Sequence, residues 1–435
     1  MNLLRKQITV RAFRKMRRVL NAAQELMRVL ISQGPQATFH AYHEYNALLQ
    51  NQWSKLRLHL GARLNMLGAR RDSPLNAIFK VLGCQNIAEI TFDQFASNEV
   101  KVTNLLADFS CADISDLYEY FRYFGDFRIS NALRILMLEK SVGEQMRMSH
   151  VSPDALNAAL ELGRPKLVIN LLSEKQVRLK DREHVREVKA MAHVLLGDLA
   201  AANKLWEQLF QSSDHLFHQI IKGRSIAVVG PTPPREEIGA EIDSYDLVVR
   251  TNYRAGSNNP VNLYGTRTDI SYYNHYRMSS HCDEVVNAAS SLDWIIFKSQ
   301  SDEAKFRNLL PTYEGGGRSA FLAHPIFFGD AAPMTIQTIM NDLIRFSPRN
   351  IKLFCNSFYS SEKTYNKGYR AIPLTDSTIS ENLRIHELFS GFSFVQNLHR
   401  AGLCSVDCVT GEILDLSLEQ YAKNINGLYG EFLCQ

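Results

Sequence analysis

The chain has 435 residues, a length that corresponds to two or three domains. Its 45% hydrophobic and 22% charged residues are ordinary for a globular protein and exclude a mainly disordered chain. A net charge of +4 is too small to indicate nucleic-acid binding, and seven scattered cysteines fit reduced thiols in a cytoplasmic protein.

Residues 1–20 form a basic, amphipathic segment. Its Lys and Arg residues precede the first acidic residue, Glu25, and alternate with apolar residues. This pattern is typical of a helix that lies on an anionic membrane surface. It is equally typical of a helix that packs on its own domain and exposes a charged face to solvent. No apolar run reaches the roughly 20 residues that span a bilayer. We therefore expect a cytoplasmic protein whose membrane contact, if any, is peripheral, at the inner face and through residues 1–20.

Residues 1–150 predict an all-helical N-terminal domain. The segments His40–Leu67 and Asp113–Arg147 place apolar and aromatic residues at three- and four-residue spacing. Acidic residues such as Asp116 and Glu119 interleave with the aromatic residues and would repel phosphates. The aromatic residues are therefore interpreted as helix core, and no nucleic-acid partner is expected.

Residues 151–221 predict two helical hairpins, one turning at Gly163 and the other at Gly197. The two glycines are 34 residues apart, which is the period of tetratricopeptide repeats. Two such units are fewer than the three that usually make a stable repeat array. We expect a helical spacer, weakly similar to these repeats, with at most a weak role in protein binding.

Residues 222–435 predict an α/β domain in which strands and helices alternate. Such alternation indicates a Rossmann-like, mostly parallel sheet flanked by helices. Helices are expected at Glu284–Ser290, Asp302–Leu310 and Met334–Phe346, and a single long helix at Ser380–Ala401 ends before Gly402. A short strand at Ser405–Val409 and a helix at Leu416–Leu428 follow. The main strands are expected at Ile226–Val229, Leu247–Arg250, Thr268–Tyr273, Trp294–Phe297, Ala320–Ala323 and Ile351–Phe354.

The ends of the first two strands indicate a ligand site. The first strand ends at Gly230 and a Pro-rich turn, and the second ends at Arg250, Thr251 and Asn252. In an open α/β sheet the carboxyl ends of the strands face the ligand crevice. The turn lacks the dinucleotide fingerprint, and the chain has neither a P-loop nor an Asp-x-Asp triplet that would hold a divalent cation against a diphosphate.

Several pieces of this domain resemble one known family. The segment Ile226–Asn252 resembles the long motif of the CMP-sialic acid transferases, and the layout from Gly230 to His386 is similar to that of the small bacterial sialyltransferases. The pieces that agree in order are VRTN ending at Asn252, YGTRTDISYYN ending at Asn274, Thr335, NSFY with Tyr359, Tyr365 and His386. The resemblance covers about the last half of the chain and implies a GT-A-like variant of the fold.

The resemblance assigns a role to each piece. It implies that His386 is the general base and that Tyr359 and Tyr365 hold the CMP phosphate. The nucleotide-contacting positions would be Gly230, Pro231, Thr232, Asn252, Asn274, Thr335, Ser357 and Phe358. Pro231 and Thr232 depart from the Asn-Gly that usually follows the first-turn glycine, and Ser357 replaces an acidic residue before Phe-Tyr.

Each role has a structural alternative. His386 fits an ordinary histidine of an amphipathic helix, and Tyr359 and Tyr365 fit packing residues. Arg250 fits an ion pair with Asp246 or Glu241 that would hold the loop. The residues themselves leave these alternatives open.

The function implied by the resemblance is glycosyl transfer without a cofactor or metal. A sialic-acid-like or Kdo-like sugar would move from its CMP donor to the hydroxyl of a glycan or lipid-linked glycan, with inversion at the anomeric carbon. An imidazole suits proton transfer at neutral pH, and phenols can stabilise a departing phosphate. The alternatives are a transferase with another nucleotide donor and a non-catalytic scaffold with a degenerate transferase domain. The oligomeric state, the donor sugar and the linkage are left open by the sequence.

Overall fold

The computed structural model describes residues 53–69, 73–124, 126–177, 182–257, 259–320, 333–366, 369 and 376–434. The basic segment 1–20 lies outside these residues, so its membrane contact stays a prediction. The chain divides into two compact units, and the division falls between Met137 and Leu138. Among the described residues, no helix is long and apolar enough to cross a membrane.

The described part of the first unit is helical, as the sequence predicts. Local signals start and stop these helices: Ser73 caps α2, Gly83 ends it with a φ of 69°, and Thr91 forms a capping box with Gln94. The aromatic residues Tyr118 and Phe127 are buried in its core. The helices are α1 Trp53–Ala69, α2 Pro74–Leu82, α3 Phe92–Ser97, α4 Glu99–Leu106, α5 Cys111–Tyr123 and α6 Phe127–Gln145, which continues into the second unit.

The two predicted helical hairpins follow the end of α6 in the second unit. Gly163 and Gly197 lie at their turns with φ values of 68° and 80°, a conformation that glycine adopts without strain. The helices of this region are α7 Pro153–Glu161, α8 Pro165–Glu174, α9 Arg182–Leu195, α10 Leu199–Glu207 and α11 Ser212–Ile221.

Helix α11 packs directly on the sheet that follows. The Phe217 ring lies 4.9 Å from the Trp294 ring and 5.0 Å from the Phe346 ring, centroid to centroid. Asp214 also accepts hydrogen bonds from the buried guanidinium of Arg318, whose other partner is Asp342. Since a buried ion pair is costly to break on one side only, this network holds α11 and the sheet together.

The centre of the second unit is a seven-stranded, all-parallel sheet. Its strand order is β5-β4-β3-β2-β1-β6-β7. The chain moves outward from β1 to β5, returns to the other side of β1 for β6, and so creates a topological switch point between β1 and β6. The strands are β1 Ser225–Val229, β2 Leu247–Thr251, β3 Ile270–Tyr273, β4 Trp294–Phe297, β5 Gly316–Ser319, β6 Asn350–Phe354 and β7 Ser405–Val406.

Helices cover both faces of this sheet. The strands β1, β3 and β4 are buried at every residue, which requires apolar layers above and below. One layer packs Ile242 and Tyr264 on Ala227 and Val229. The helices are α12 Gly239–Asp243, α13 Val261–Tyr264, α14 His275–Ser280, α15 Cys282–Ala289, α16 Gln300–Leu309, α17 Thr335–Ile344, α18 Asp376–Ile385, α19 Leu388–Arg400, α20 Cys408–Leu414 and α21 Leu418–Cys434.

The fifth strand differs from its prediction. It runs over Gly316–Ser319 rather than Ala320–Ala323; Ala320 follows the strand, and residues 321–323 lie outside the described residues. Glycine disfavours strands in isolation. Here the Trp294 indole of the neighbouring strand covers Gly316, where a Cβ would meet the ring at 2.1 Å. The strand is defined by its pairing with β4, which is a tertiary contact, so local propensity did not reveal it.

The predicted helix Ser380–Ala401 is two helices. α18 ends at Ile385 and α19 begins at Leu388, so His386 and Glu387 lie in a break. Neither proline nor glycine occurs at this break, and Glu387 is fully buried. The last strand is also shorter than predicted, because Asp407 caps α20, which the sequence analysis missed. Gly402 follows α19 with a φ of 69°, as predicted for a helix end.

Candidate functional site

An open cleft lies at the carboxyl ends of the strands, at the switch point between β1 and β6. Pro231 and Thr232, after β1, form one part of its lining. The segment Asn356–Tyr359, after β6, forms another. Since ligands of open α/β sheets bind at this position, the cleft is the candidate site of the second unit.

Most of the site residues predicted from the sequence line this cleft. Gly230 and Asn252 do not belong to its lining; both are held behind it by contacts described below. The predicted residues that line it are Pro231, Thr232, Asn274, Thr335, Ser357, Phe358, Tyr359, Tyr365 and His386.

The strand ends at the cleft carry an unusual backbone conformation. Residues other than glycine rarely adopt a positive φ, and where they do so the surrounding structure must hold them. Ser347 is one such residue elsewhere in the described part of the chain. The others follow β2 and β6: Asn252 (48°), Cys355 (58°), Phe358 (47°) and Tyr359 (64°).

Three tyrosines form a connected group in the cleft. The phenol oxygens of Tyr359 and Tyr365 are 2.9 Å apart and share a hydrogen bond. The rings of Tyr365 and Tyr369 are stacked, with centroids 5.1 Å apart and an interplanar angle of 19°. Each ring of the group is therefore held by a neighbouring ring before a ligand arrives.

Thr232 joins the loops that follow β1 and β6. Its hydroxyl accepts a hydrogen bond from the Ser357 backbone N–H at 3.1 Å and donates to the Thr364 carbonyl at 3.2 Å. Both Thr232 and Ser357 are almost fully buried. Gly230 allows the same two loops to approach each other closely, because a Cβ at this position would lie 2.5 Å from the Cys355 carbonyl oxygen.

The two predicted asparagines contact each other. The backbone N–H of Asn274 donates to Asn252 Oδ1 at 3.1 Å, and Asn252 Nδ2 donates to the Tyr369 phenol oxygen at 2.8 Å. Asn274 Oδ1 accepts from the Arg277 N–H at 3.0 Å and caps α14. Asn252 is 3% exposed, so its amide serves contacts inside the protein.

His386 lines the cleft from the break between α18 and α19. Its backbone N–H donates to the Asn382 carbonyl at 3.0 Å, which ties the residue to the last turn of α18. The backbone carbonyl of the next residue, Glu387, accepts a hydrogen bond of 3.3 Å from the backbone N–H of Gly391, in the first turn of α19. Because the chain is fastened to a helix on each side of the break, the backbone of His386 has a fixed place at the cleft.

Arg250 forms neither of the ion pairs expected from the sequence. Its guanidinium donates to the Tyr264 carbonyl and to the Thr268 hydroxyl, the latter at 2.9 Å. Burial lowers the pKa of Arg250 from its ordinary value. Arg250 thus fastens the chain between α13 and β3 behind the cleft.

Cys355 is buried directly after β6, beside the cleft. Burial raises the pKa of its thiol well above the usual range, and the nearby Asp407 carboxylate adds to this effect. The thiol is therefore protonated at neutral pH and is unsuited to act as a nucleophile.

Sequence reasoning missed part of the cleft. Asn382 could have been found, since it lies four residues before His386 and such residues share a helix face. Tyr369 follows Tyr365 by four residues, a weaker signal in a loop. Thr251 and Asn356 stand in the pieces VRTN and NSFY without an assigned role. The lining residues that were missed entirely are Met334, Ile336, Thr364, Tyr369 and Asn382.

In the described part of the chain, no group of three or more His, Cys, Asp or Glu residues could hold a metal ion.

Comparison with known proteins adds no assignment: no family model and no curated protein matches this chain. The geometry of the cleft is thus the basis for a functional proposal.

Proposed function

We propose that the protein is a glycosyltransferase that moves a sialic-acid-like or Kdo-like sugar from a CMP donor to a hydroxyl of a glycan or lipid-linked glycan. The observation that carries the proposal is the hydrogen-bonded pair Tyr359–Tyr365, which lines the same switch-point cleft as His386. The fold would then be a GT-A-like variant of the Rossmann-like sheet, as the resemblance to sialyltransferases implies.

The proposed reaction requires stabilisation of a leaving phosphate. As the bond between the sugar and CMP breaks, negative charge grows on the phosphate oxygens, and phenol donors that are already oriented stabilise it. Tyr359 and Tyr365 supply such donors at the end of β6. This chemistry requires no metal, because a monophosphate carries less charge than a diphosphate.

His386 acts as the general base in this proposal. An imidazole group, whose pKa in model peptides is near 6.5, is suited to take the proton of an acceptor hydroxyl at neutral pH. Direct attack of that hydroxyl on the anomeric carbon displaces CMP from the opposite side, and the configuration inverts.

Nucleotide binding is the first test of the proposal. CMP, UMP, GMP and NAD are titrated separately against the purified chain by calorimetry. Preference for CMP supports the proposal, whereas preference for another nucleotide indicates a transferase with a different donor. Absence of binding by all four would indicate the non-catalytic scaffold.

The role of His386 has its own test. His386→Ala should abolish transfer and leave CMP affinity within about twofold, because a general base acts on the acceptor. His281→Ala is the matched control, since its ring hydrogen bonds Tyr276 at the surface of the same unit. Transfer by His386→Ala at the wild-type rate would contradict the assignment of the base.

A further inference from the structure

The orientation of the Asn252 carboxamide is fixed by its two neighbours. The Asn274 backbone N–H lies 3.1 Å from Oδ1, and only the amide oxygen can accept a hydrogen bond from that group. Nδ2 is therefore the atom that lies 2.8 Å from the Tyr369 phenol oxygen. Flipping the amide would set donor against donor at Asn274.

This orientation decides the direction of the hydrogen bond to Tyr369. Asn252 Nδ2–H donates, so the Tyr369 oxygen accepts. A phenol has one proton, and that proton points away from Asn252. Tyr369 lines the cleft, and among the described residues no group accepts this proton. Tyr369 thus retains a hydrogen-bond donor that a bound ligand can use.

The Tyr369 ring is also held in place at its other contacts. It stacks on Tyr365 at a centroid distance of 5.1 Å. Its backbone carbonyl accepts a hydrogen bond of 2.6 Å from the guanidinium of Arg277, which is 4% exposed. Because ring, hydroxyl and backbone are each constrained, the donor is oriented before a ligand binds, which reduces the entropy cost of binding.

We infer that Tyr369 is a ligand-binding residue of the cleft, which donates a hydrogen bond to an oxygen of the bound nucleotide, and that Asn252 is a positioning residue that acts through it. This inference rests on the proposed nucleotide site. A phosphate oxygen and a ribose hydroxyl are both acceptors of the required kind. The assignment differs from the resemblance, in which Asn252 itself contacts the nucleotide.

The first experiment removes the Tyr369 hydroxyl and keeps its ring. Tyr369→Phe is titrated with CMP and with cytidine, and affinity should fall about tenfold for the loss of one hydrogen bond. A loss with CMP alone assigns the phosphate as the acceptor, and an equal loss with both assigns the ribose. Unchanged affinity for CMP overturns the inference.

Tyr313→Phe is the matched control. In the wild type, the Tyr313 hydroxyl donates to the Leu292 carbonyl at 3.0 Å, and this contact lies in the same unit, outside the cleft lining. The substitution should lower the melting temperature and leave the affinity for CMP unchanged. A wild-type chain that does not bind CMP would contradict the proposed function rather than the role of Tyr369.

A double-mutant cycle tests the part played by Asn252. Asn252→Gly removes the amide and suits the φ of 48°. If Asn252 acts through Tyr369, the variant that carries both substitutions binds CMP within about twofold of Tyr369→Phe alone. If the two substitutions instead lower the affinity for CMP independently, so that the two losses multiply in the double variant, Asn252 contacts the nucleotide directly. That result would overturn its positioning role. Melting temperatures of all variants report whether the fold is kept.

Discussion

Tyr359 and Tyr365 share a hydrogen bond between their phenol oxygens, which are 2.9 Å apart, and their rings meet edge to face at 80°. The backbone of Tyr359 has a φ of 64°, and the residue before it, Phe358, is also in the left-handed region. Phe358 packs on Phe392 of α19, and its carbonyl accepts a hydrogen bond of 2.7 Å from the buried Tyr421. The phenol pair is thus supported from behind by α19 and α21.

The first prediction concerns this phenol pair. Tyr359→Phe and Tyr365→Phe should each lower the rate of sugar transfer about 100-fold, the usual cost of losing one donor to a growing negative charge. The loss of rate in the double variant should be smaller than the product of the two single losses, because each hydroxyl orients the other. Steady-state rates of CMP release measure both effects. Tyr276→Phe, at an exposed tyrosine of the same unit, is the control and should keep the wild-type rate.

The second prediction concerns Thr232 as a link between the loops after β1 and β6. Thr232→Val leaves the buried Ser357 N–H and Thr364 carbonyl without this partner, which should lower the free energy of unfolding by about 1–3 kcal/mol. Urea denaturation measures the change. Thr232→Ser keeps the hydroxyl and should lose less. A larger loss in Thr232→Ser than in Thr232→Val would show that the methyl group, not the hydroxyl, matters.

The third prediction concerns the contact of Trp294 with Gly316. Gly316→Ala places a Cβ 2.1 Å from the indole ring, and overpacking of this kind typically costs about 1–3 kcal/mol of stability. Gly427→Ala in α21 is the control, since its Cβ meets nothing within 4 Å and alanine favours the helix. Thermal unfolding should show a lower melting temperature for the first variant and an equal or higher one for the second.

The fourth prediction concerns Lys298, which follows β4. Its ammonium donates to the Pro333 carbonyl at 2.8 Å, and burial lowers its pKa to about 8. The ordinary pKa is about 10.5, so between these values the folded chain binds fewer protons at this group than the unfolded chain. The contribution of this group to stability is therefore unfavourable below pH 8 and recovers as the pH rises towards 10.5.

Lys298→Met should remove this pH dependence. The difference in unfolding free energy between the wild type and the variant should shift in favour of the wild type from about pH 7 to about pH 10. Urea denaturation at several pH values measures it. A constant difference over this range would show that the pKa of Lys298 is the same in the folded and unfolded chains.

The sequence by itself determined the class of the fold and indicated the carboxyl ends of the strands as the place of a ligand site. Buried strands such as Ile226–Val229 and Ile351–Phe354 are visible as short apolar runs, because a parallel sheet buries both of its faces. Turns at Gly163, Gly197 and Gly402 were equally readable, since each requires a positive φ. Residues directly after strands were therefore good candidates for the site.

Only the tertiary structure decided which of these residues meet and what each contacts. The return of the chain to place β6 beside β1 sets the loop of Thr232 against Ser357, 125 residues away, and no local pattern encodes such a pairing. The same is true of Gly316, which lies under Trp294 of the neighbouring strand. No proline or glycine marks the break at His386 in the sequence. Hydrogen-bond direction at Asn252 likewise follows from two neighbours in space, so it could not be read from the order of residues.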